Sequence, residues 1–178
     1  TIHVDVRANF EDLATAERVD GGEGTDTRNF GAAVAHTTSA ADLAGIKNIE
    51  KITYDTTSTG TITLDDAVYT NAGVTNLDIR DTEATAGLTV TASALSAANS
   101  VTVTDNGGNI TSSYTGGAGD DTFKVTVNHA TALAAADTIT GGKGTDELII
   151  TAGNASLTQA TQSGVTAVEK ITFVGTAA

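Results

Sequence analysis

The chain contains no cysteine, methionine, proline or tryptophan, and its 178 residues include only three tyrosines and four phenylalanines. Without cysteine there is no disulfide frame, no thiolate nucleophile and no zinc–thiolate site. The three histidines, His3, His36 and His129, are far apart in sequence, and none sits in an HExxH or similar motif. No run approaches the ~18 consecutive apolar residues that a membrane helix needs, so membrane insertion is not expected. Basic residues are scarce: 9 Lys and Arg stand against 22 Asp and Glu, a formal charge of −13. Nucleic acid and anionic membranes are therefore poor partners, and a cation, most simply a metal ion, is the natural one. Large apolar residues are also few, with Val, Ile, Leu and Phe summing to 38.

Threonine (34), alanine (29) and glycine (19) fill the space instead. That composition gives a thin core, which suits narrow, stacked β structure better than a thick globule. There is no initiator methionine, and the first segment already alternates at Ile2, Val4 and Val6. The sequence thus reads as a segment of a longer protein. No Pro-rich or Ser/Gly-rich linker interrupts it, so residues 1–178 are expected to form one continuous domain.

One internal repeat is plain. Residues 19–26 read VDGGEGTD and residues 139–146 read ITGGKGTD. Each is followed at nearly the same interval by a second matching block. The first copy has Ile49-Glu50-Lys51-Ile52-Thr53, and the second has Val168-Glu169-Lys170-Ile171-Thr172. Two blocks in the same order at the same spacing make one module used twice, at 19–54 and 139–174. Between the copies runs a shorter beat. Leu77-Asp78-Ile79-Arg80-Asp81 and Val101-Thr102-Val103-Thr104-Asp105 share an apolar-x-apolar-x-Asp pattern 24 residues apart. Thr alternating with Val, Ile or Leu at 61–64 and 88–90 is the signal of half-buried strands. Short strands recurring at this interval, split by Gly, Asn and Asp, predict an all-β fold: a β-solenoid or β-roll of stacked strands. The Ala-rich spacers at 39–43, 93–98 and 129–136 are expected to make short helical corners packed on the sheets.

Three stretches carry GGxGxD: Gly21–Asp26, Gly116–Asp121 and Gly141–Asp146. In the last two an apolar residue follows two places on, Phe123 and Leu148, completing the nine-residue GGxGxDxUx pattern. In the first that place holds Arg28, which is not expected to anchor a core. Glycines let the backbone curl until carbonyls point inward, and the Asp adds a hard anionic oxygen. Such an oxygen-rich turn suits Ca²⁺, which takes 6–8 oxygen ligands, better than Mg²⁺ with its tight octahedron.

On these turns, on the partner block Ile49–Thr53 and on the Cys-free Thr/Ala/Gly composition, the chain resembles the repeats-in-toxin family of secreted bacterial proteins. More narrowly, it is similar to calcium-dependent surface-layer proteins. The resemblance implies a structural protein at the bacterial cell surface, outside the cell. It implies calcium-dependent self-assembly into a lattice, and cell-surface polysaccharide as a partner of some other segment. It implies calcium ligands at Asp26 with Gly22 and Gly24, at Asp121 with Gly117 and Gly119, and at Asp146 with Gly142 and Gly144. Asp20, Asp120 and Asp137 stand close enough in sequence to be further donors. The motifs are isolated rather than tandem, although 116–121 and 141–146 are expected to stack as neighbouring coils. A module of a large secreted adhesin is the alternative. A β-helical secreted enzyme is a third reading, against which no nucleophile–base pair is visible; the pairs Asp65-Asp66 and Asp120-Asp121 are expected to be turn acids. Asp81 and Asp105 are expected to form a solvated row of loop acids, and the Tyr and Phe residues to fill the core.

Overall fold

A computed structural model describes residues 18–31, 36–55, 59–81, 87–105, 111–127, 137–152 and 164–175. The strands follow one another as a wound ribbon. The first coils hold β1 (Val19–Asp20), β2 (Thr27–Gly31) and β3 (His36–Thr38), then a 3₁₀ turn at Ala41–Leu43. Next come β4 (Ile46–Lys47), β5 (Lys51–Asp55), β6 (Gly60–Asp65) and a helix, α1 (Asp66–Ala72). The chain continues through β7 (Asn76–Asp81), β8 (Leu88–Ala94), β9 (Ser100–Asp105), β10 (Ser113–Thr115) and β11 (Thr122–Val127). It ends with β12 (Thr138–Thr140), β13 (Glu147–Ala152), β14 (Val165–Thr166) and β15 (Lys170–Gly175).

Among the described residues every strand pairing is parallel. Seven strands form one sheet in the order β15-β13-β11-β9-β7-β5-β2, and six form a second in the order β14-β12-β10-β8-β6-β3; β1 and β4 make a short third ladder. The neighbours in each sheet are therefore successive passes of the same ribbon. This is the β-solenoid the sequence pattern predicts.

Alternation decides which face each residue takes. Ile52, Ile79, Val103, Phe123 and Leu148 stand in register along one inner column of the large sheet, each at most 1% exposed. Ile62, Val90, Tyr114 and Ile139 make the facing column of the six-stranded sheet. The two columns meet, with the Tyr114 and Phe123 rings stacked at 6.5 Å. Each such side chain removed from water contributes roughly 1.5–3 kcal/mol, so one thin seam of them can hold the stack.

Outward positions differ sharply between the sheets. On the six-stranded sheet the rows read Thr61-Ile62-Thr63, Thr89-Val90-Thr91, Ser113-Tyr114-Thr115 and Thr138-Ile139-Thr140, in register. On the seven-stranded sheet the outer columns instead carry Lys51, Asp78, Arg80, Lys124, Glu147 and Lys170.

Four local expectations need correction. Arg28 is buried at 5% exposure, in register with Ile52 in the inner column. Asp81 and Asp105 are not solvated loop acids: they are 4% and 9% exposed, in register on adjacent strands, and Tyr114 Oη donates to Asp105 Oδ2 at 2.6 Å. A buried phenol beside carboxylates stays protonated, and desolvation with the Asp105 charge raises the Tyr114 pKa well above its usual value. Next, the one described α-helix is α1 rather than an Ala-rich spacer; Asp65 caps it by accepting from Ala67 and Val68 N–H, and Gly73 closes it in the left-handed conformation. Of the spacers, 39–43 gives the 3₁₀ turn, 93–98 is strand end and turn, and 129–136 lies outside the described residues. Phe173, expected in the core, is 56% exposed, whereas Tyr69, Tyr114 and Phe123 are buried as expected.

Candidate functional site

The turns 116–121 and 141–146 each fall between a strand of the second sheet and the following strand of the first, and 21–26 lies between β1 of the third ladder and β2 of the first sheet. The register shows what the internal repeat builds. Val19 pairs with Ile46 and Thr27 with Lys51; likewise Ile139 pairs with Val165 and Glu147 with Lys170. Each repeat is thus two successive coils, a GGxGxD coil covered by an Ile/Val-x-x-Ile/Val-Glu-Lys coil.

The motif Asp and the partner-block Glu occupy equivalent positions and do the same work. Asp26 N–H donates to Glu50 Oε2 at 2.7 Å, and Asp146 N–H donates to Glu169 Oε2 at 2.8 Å. Asp121 N–H donates to Asp146 Oδ1 at 2.7 Å, and Val101 N–H to Asp121 Oδ1 at 2.7 Å. Each acid therefore receives the main-chain N–H of the preceding coil just before its strand begins. The glutamates were visible in the sequence only as a repeated letter. Their role depends on a partner 23 or 24 residues away, which no local pattern reports.

The turns 116–121 and 141–146 stack directly. Gly116 N–H donates to Thr140 O, Lys143 N–H to Gly117 O at 3.0 Å, and Glu147 N–H to Asp121 O. Thr145 N–H donates to Asp120 Oδ1 at 2.7 Å. Gly117 N–H donates to Asp121 Oδ2 at 2.7 Å, so both oxygens of this 1% exposed carboxylate accept main-chain bonds. Asp146 is fully buried, and its Oδ2 has no hydrogen-bond partner. Desolvation raises the Asp121 carboxyl to about 6, against the Val101 and Gly117 N–H groups that lower it, with Asp146 and Asp120 adding repulsion. Desolvation also raises Asp146, with Glu169 and Asp120 adding to the effect.

The first turn is built differently around it. Asp26 is 2% exposed, while Gly22 and Gly24 face solvent. Asp20 Oδ1 accepts from Gly22 N–H and from Asn48 Nδ2 at 2.7 Å, and its other oxygen lies 3.7 Å from Lys47 Nζ. Those bonds, Asn48 foremost, hold the Asp20 carboxyl below its usual range. Asp20 braces the turn from outside. Asp137 is set apart: the strand β12 separates it from Gly141, and its Oδ1 accepts from Ser112 N–H. The structure thus gathers Asp120, Asp121 and Asp146 with Gly117, Gly119, Gly142 and Gly144. It keeps Asp20, Gly22, Gly24 and Asp26 in a separate turn, and it leaves Asp137 at the far end of its strand.

Comparison with family models, with curated proteins and with solved structures yields no match for this chain.

The donors at 116–121 and 141–146 fit a hard cation in kind. The partnerless, buried Asp146 oxygen and its raised pKa mark a carboxylate short of positive charge. Among the described residues no group of three or more His, Asp or Glu side chains is set out as a ready cage. Main-chain carbonyls would have to complete the coordination, as hard cations accept. At the turn the would-be Cβ of Gly144 lies 2.4 Å from Gly119 O and 3.0 Å from Asp120 Oδ1, a backbone approach that only glycine permits.

Proposed function

We propose that this chain is a structural segment of a bacterial cell-surface protein. In this reading it joins copies through its strand edges into a surface-layer type of lattice, and Ca²⁺ at the glycine turns controls both stability and assembly. The observation that carries it is the end of the stack. On β15, Ile171 and Phe173 continue the inner columns of Leu148 and Ile150, yet they are 39% and 56% exposed, with Val174 at 48%. Among the described residues β15 pairs only with β13, so its outer edge presents free main-chain groups beside an apolar seam. Such an edge is a template for another strand, either from a further domain of a longer chain or from a second copy, and non-closing contacts between identical chains extend into open arrays.

Calcium would be held by Asp146, Asp121 and Asp120 with carbonyls of Gly117, Gly119, Gly142 and Gly144, and more weakly at Asp26 with Gly22, Gly24 and Asp20. When bound, it supplies positive charge to buried carboxylates. The chain's own residues set the site: the acids keep the neighbouring coils in register, and the glycines bring the carbonyls close. The formal charge of −13 opposes association at low salt. Divalent ions relieve that repulsion by occupying sites, which Na⁺ at equal ionic strength does not.

The test is light scattering and negative-stain microscopy of the chain in millimolar Ca²⁺ against Na⁺ at matched ionic strength. Ordered sheets in Ca²⁺ alone are expected. Phe173→Lys should abolish them while leaving calcium titration unchanged, and Asp146→Asn should weaken the titration more than Asp26→Asn. Equal assembly in both salts removes calcium from the contacts. No assembly in either favours the adhesin reading.

A further inference from the structure

The outer face of the six-stranded sheet serves neither the core nor the glycine turns. Its two outward columns, through Thr61 and through Thr63, contain only hydroxyl side chains. Thr37 extends the first and Thr166 the second. The bland account is that Thr pairs on neighbouring strands stabilise the ladder by roughly 0.2–1 kcal/mol each. The seven-stranded sheet shows that this is not required: the same ribbon there alternates Lys, Asp, Arg and Glu with Thr in its outer columns. In a chain of −13 both columns are free of charge; Asp65, at the end of β6, is taken up as the cap of α1.

The geometry of that face is a regular net. In-register parallel strands repeat at about 4.8 Å, and alternate residues along a strand at about 6.7 Å. Each hydroxyl has one donor and two acceptor positions. Ser113–Thr138 and Thr140–Thr166 bond side chain to side chain at 2.7 and 3.1 Å, which fixes rotamers and leaves bonding capacity facing outward.

From this we infer that the threonine face is a surface for ordered water, and that the chain binds ice. Oxygens on the prism faces of hexagonal ice repeat on a rectangular net of closely similar dimensions. A face without formal charge fits a neutral partner, and charged groups would hold hydration shells that an ice layer cannot share. The threonine methyl groups between the hydroxyls favour caged water over bulk water. Other occupants fit less well. Five hydroxyls per column span about 19 Å by about 7 Å, far below the ~800 Å² per partner that a stable protein pair buries. Sugar chains need exposed aromatic rings to stack on, and Tyr114, the aromatic residue of these rows, is buried inward. The inference is independent of calcium and of lattice assembly.

The experiment uses the whole chain in calcium, with its fold followed by circular dichroism. Ice-crystal shape and thermal hysteresis are read in a nanolitre osmometer. Faceted crystals and a measurable freezing gap are expected. Thr115→Lys, in the middle of the net, should cut the gap to less than half, whereas Thr104→Lys on the charged sheet should leave it unchanged. Should Thr115→Lys fail to fold, Thr138→Lys and Thr166→Lys, at exposed positions, carry the same expectation. Round, unshaped crystals with the folded wild-type chain overturn the inference. So does an equal loss with Thr104→Lys. Binding to microcrystalline cellulose that Thr115→Lys abolishes, without ice shaping, assigns the face to a polysaccharide and overturns the choice of ice.

Discussion

Gly24 and Gly144 hold the same place in the two copies of the repeat and nearly the same backbone angle, φ of +113° and +110°. Their surroundings differ. A Cβ at Gly144 would lie 2.4 Å from Gly119 O and 2.8 Å from its carbonyl carbon, both main-chain atoms of the coil beneath. A Cβ at Gly24 meets nothing within 4 Å. Alanine at either site carries the strain of a left-handed or more extreme φ, about 1–3 kcal/mol. Only at Gly144 does it also force two packed backbones apart, for about 1–3 kcal/mol more. Gly24→Ala should therefore lower stability by about 1–2 kcal/mol and Gly144→Ala by about 3–5 kcal/mol. In a chain of this length each kcal/mol moves the melting temperature by about 2–4 °C. Urea titration followed by circular dichroism reads the difference directly, provided the slope is unchanged. End coils of a solenoid fray more easily, so Gly73→Ala serves as a control in the middle of the stack. Its φ is +75° and its nearest contact, Asn48 Oδ1, is 3.6 Å away. It should behave like Gly24. Equal losses at all three positions would show that the coils do not stack as tightly as the turns require.

The buried acids give a pH dependence with an unusual sign. Asp121 titrates at about 6 when folded and near 3.8 when unfolded, so the folded chain binds more protons between those values. In EDTA, stability should rise as pH falls from about 6 towards 4, by ~2 kcal/mol from this group, with Asp146 shifted in the same direction. At still lower pH it should fall, because Asp20, Asp66 and Glu147 have lowered pKa values whose stabilisation disappears as they are protonated. Thermal melts across pH decide it; a stability that only declines on acidification refutes the assignment. Separately, Tyr114→Phe removes the 2.6 Å bond to a buried carboxylate and should cost about 1.5–3 kcal/mol in the same urea assay. Tyr69→Phe, which loses a 2.9 Å bond to the neutral Ser100 carbonyl, should cost about 1 kcal/mol; the reverse order would refute the charged-acceptor argument.

The solenoid was legible in the sequence because two local signals agreed. Threonine alternates with Val, Ile or Leu at strand period, and the apolar-x-apolar-x-Asp pattern at 77–81 and 101–105 recurs 24 residues apart. Helix α1 carried its own signals, Asp65 as cap and Gly73 as stop, but in seven residues the apolar face of Val68, Tyr69 and Ala72 is too short to stand out. Arg28, Asp81 and Asp105 were misjudged for a different reason. Whether a charge is buried depends on what the neighbouring coils supply, and Tyr114 reaches Asp105 from a strand of the other sheet. Sequence spacing located the glycine turns and foresaw the stacking of 116–121 on 141–146. It could not separate Asp137 from them, because a three-residue strand looks short on paper but carries its end about 10 Å away.

The column at the start of each strand of the large sheet explains why the glycine motif is not carried by every coil. In register it reads Asp26, Glu50, Leu77, Val101, Asp121, Asp146 and Glu169, adjoining the pairs Thr27–Lys51, Asp78–Lys51, Asp78–Thr102, Thr102–Thr122, Thr122–Glu147 and Glu147–Lys170. Acids occupy both ends, and apolar residues the middle. Leu77 and Val101 are fully buried there. The central coils thus bury an apolar residue at this position, and an acid outside the column, Asp66, ties their corner by accepting from Ser96 N–H and Asn99 Nδ2. At either end, coils are joined by carboxylates that accept main-chain N–H groups, and stacking two such acids inside the protein accumulates negative charge. Glu50 and Glu169 relieve it, since a longer side chain reaches the same N–H while staying nearer solvent. A Gly-turn coil followed by a Glu coil therefore has less need of a cation. Where Asp121 and Asp146 follow one another directly, that relief is missing, and the unmatched Asp146 oxygen falls at that point. On the proposed reading, calcium dependence is confined to this junction and its weaker counterpart at Asp26, around a central stack that needs none.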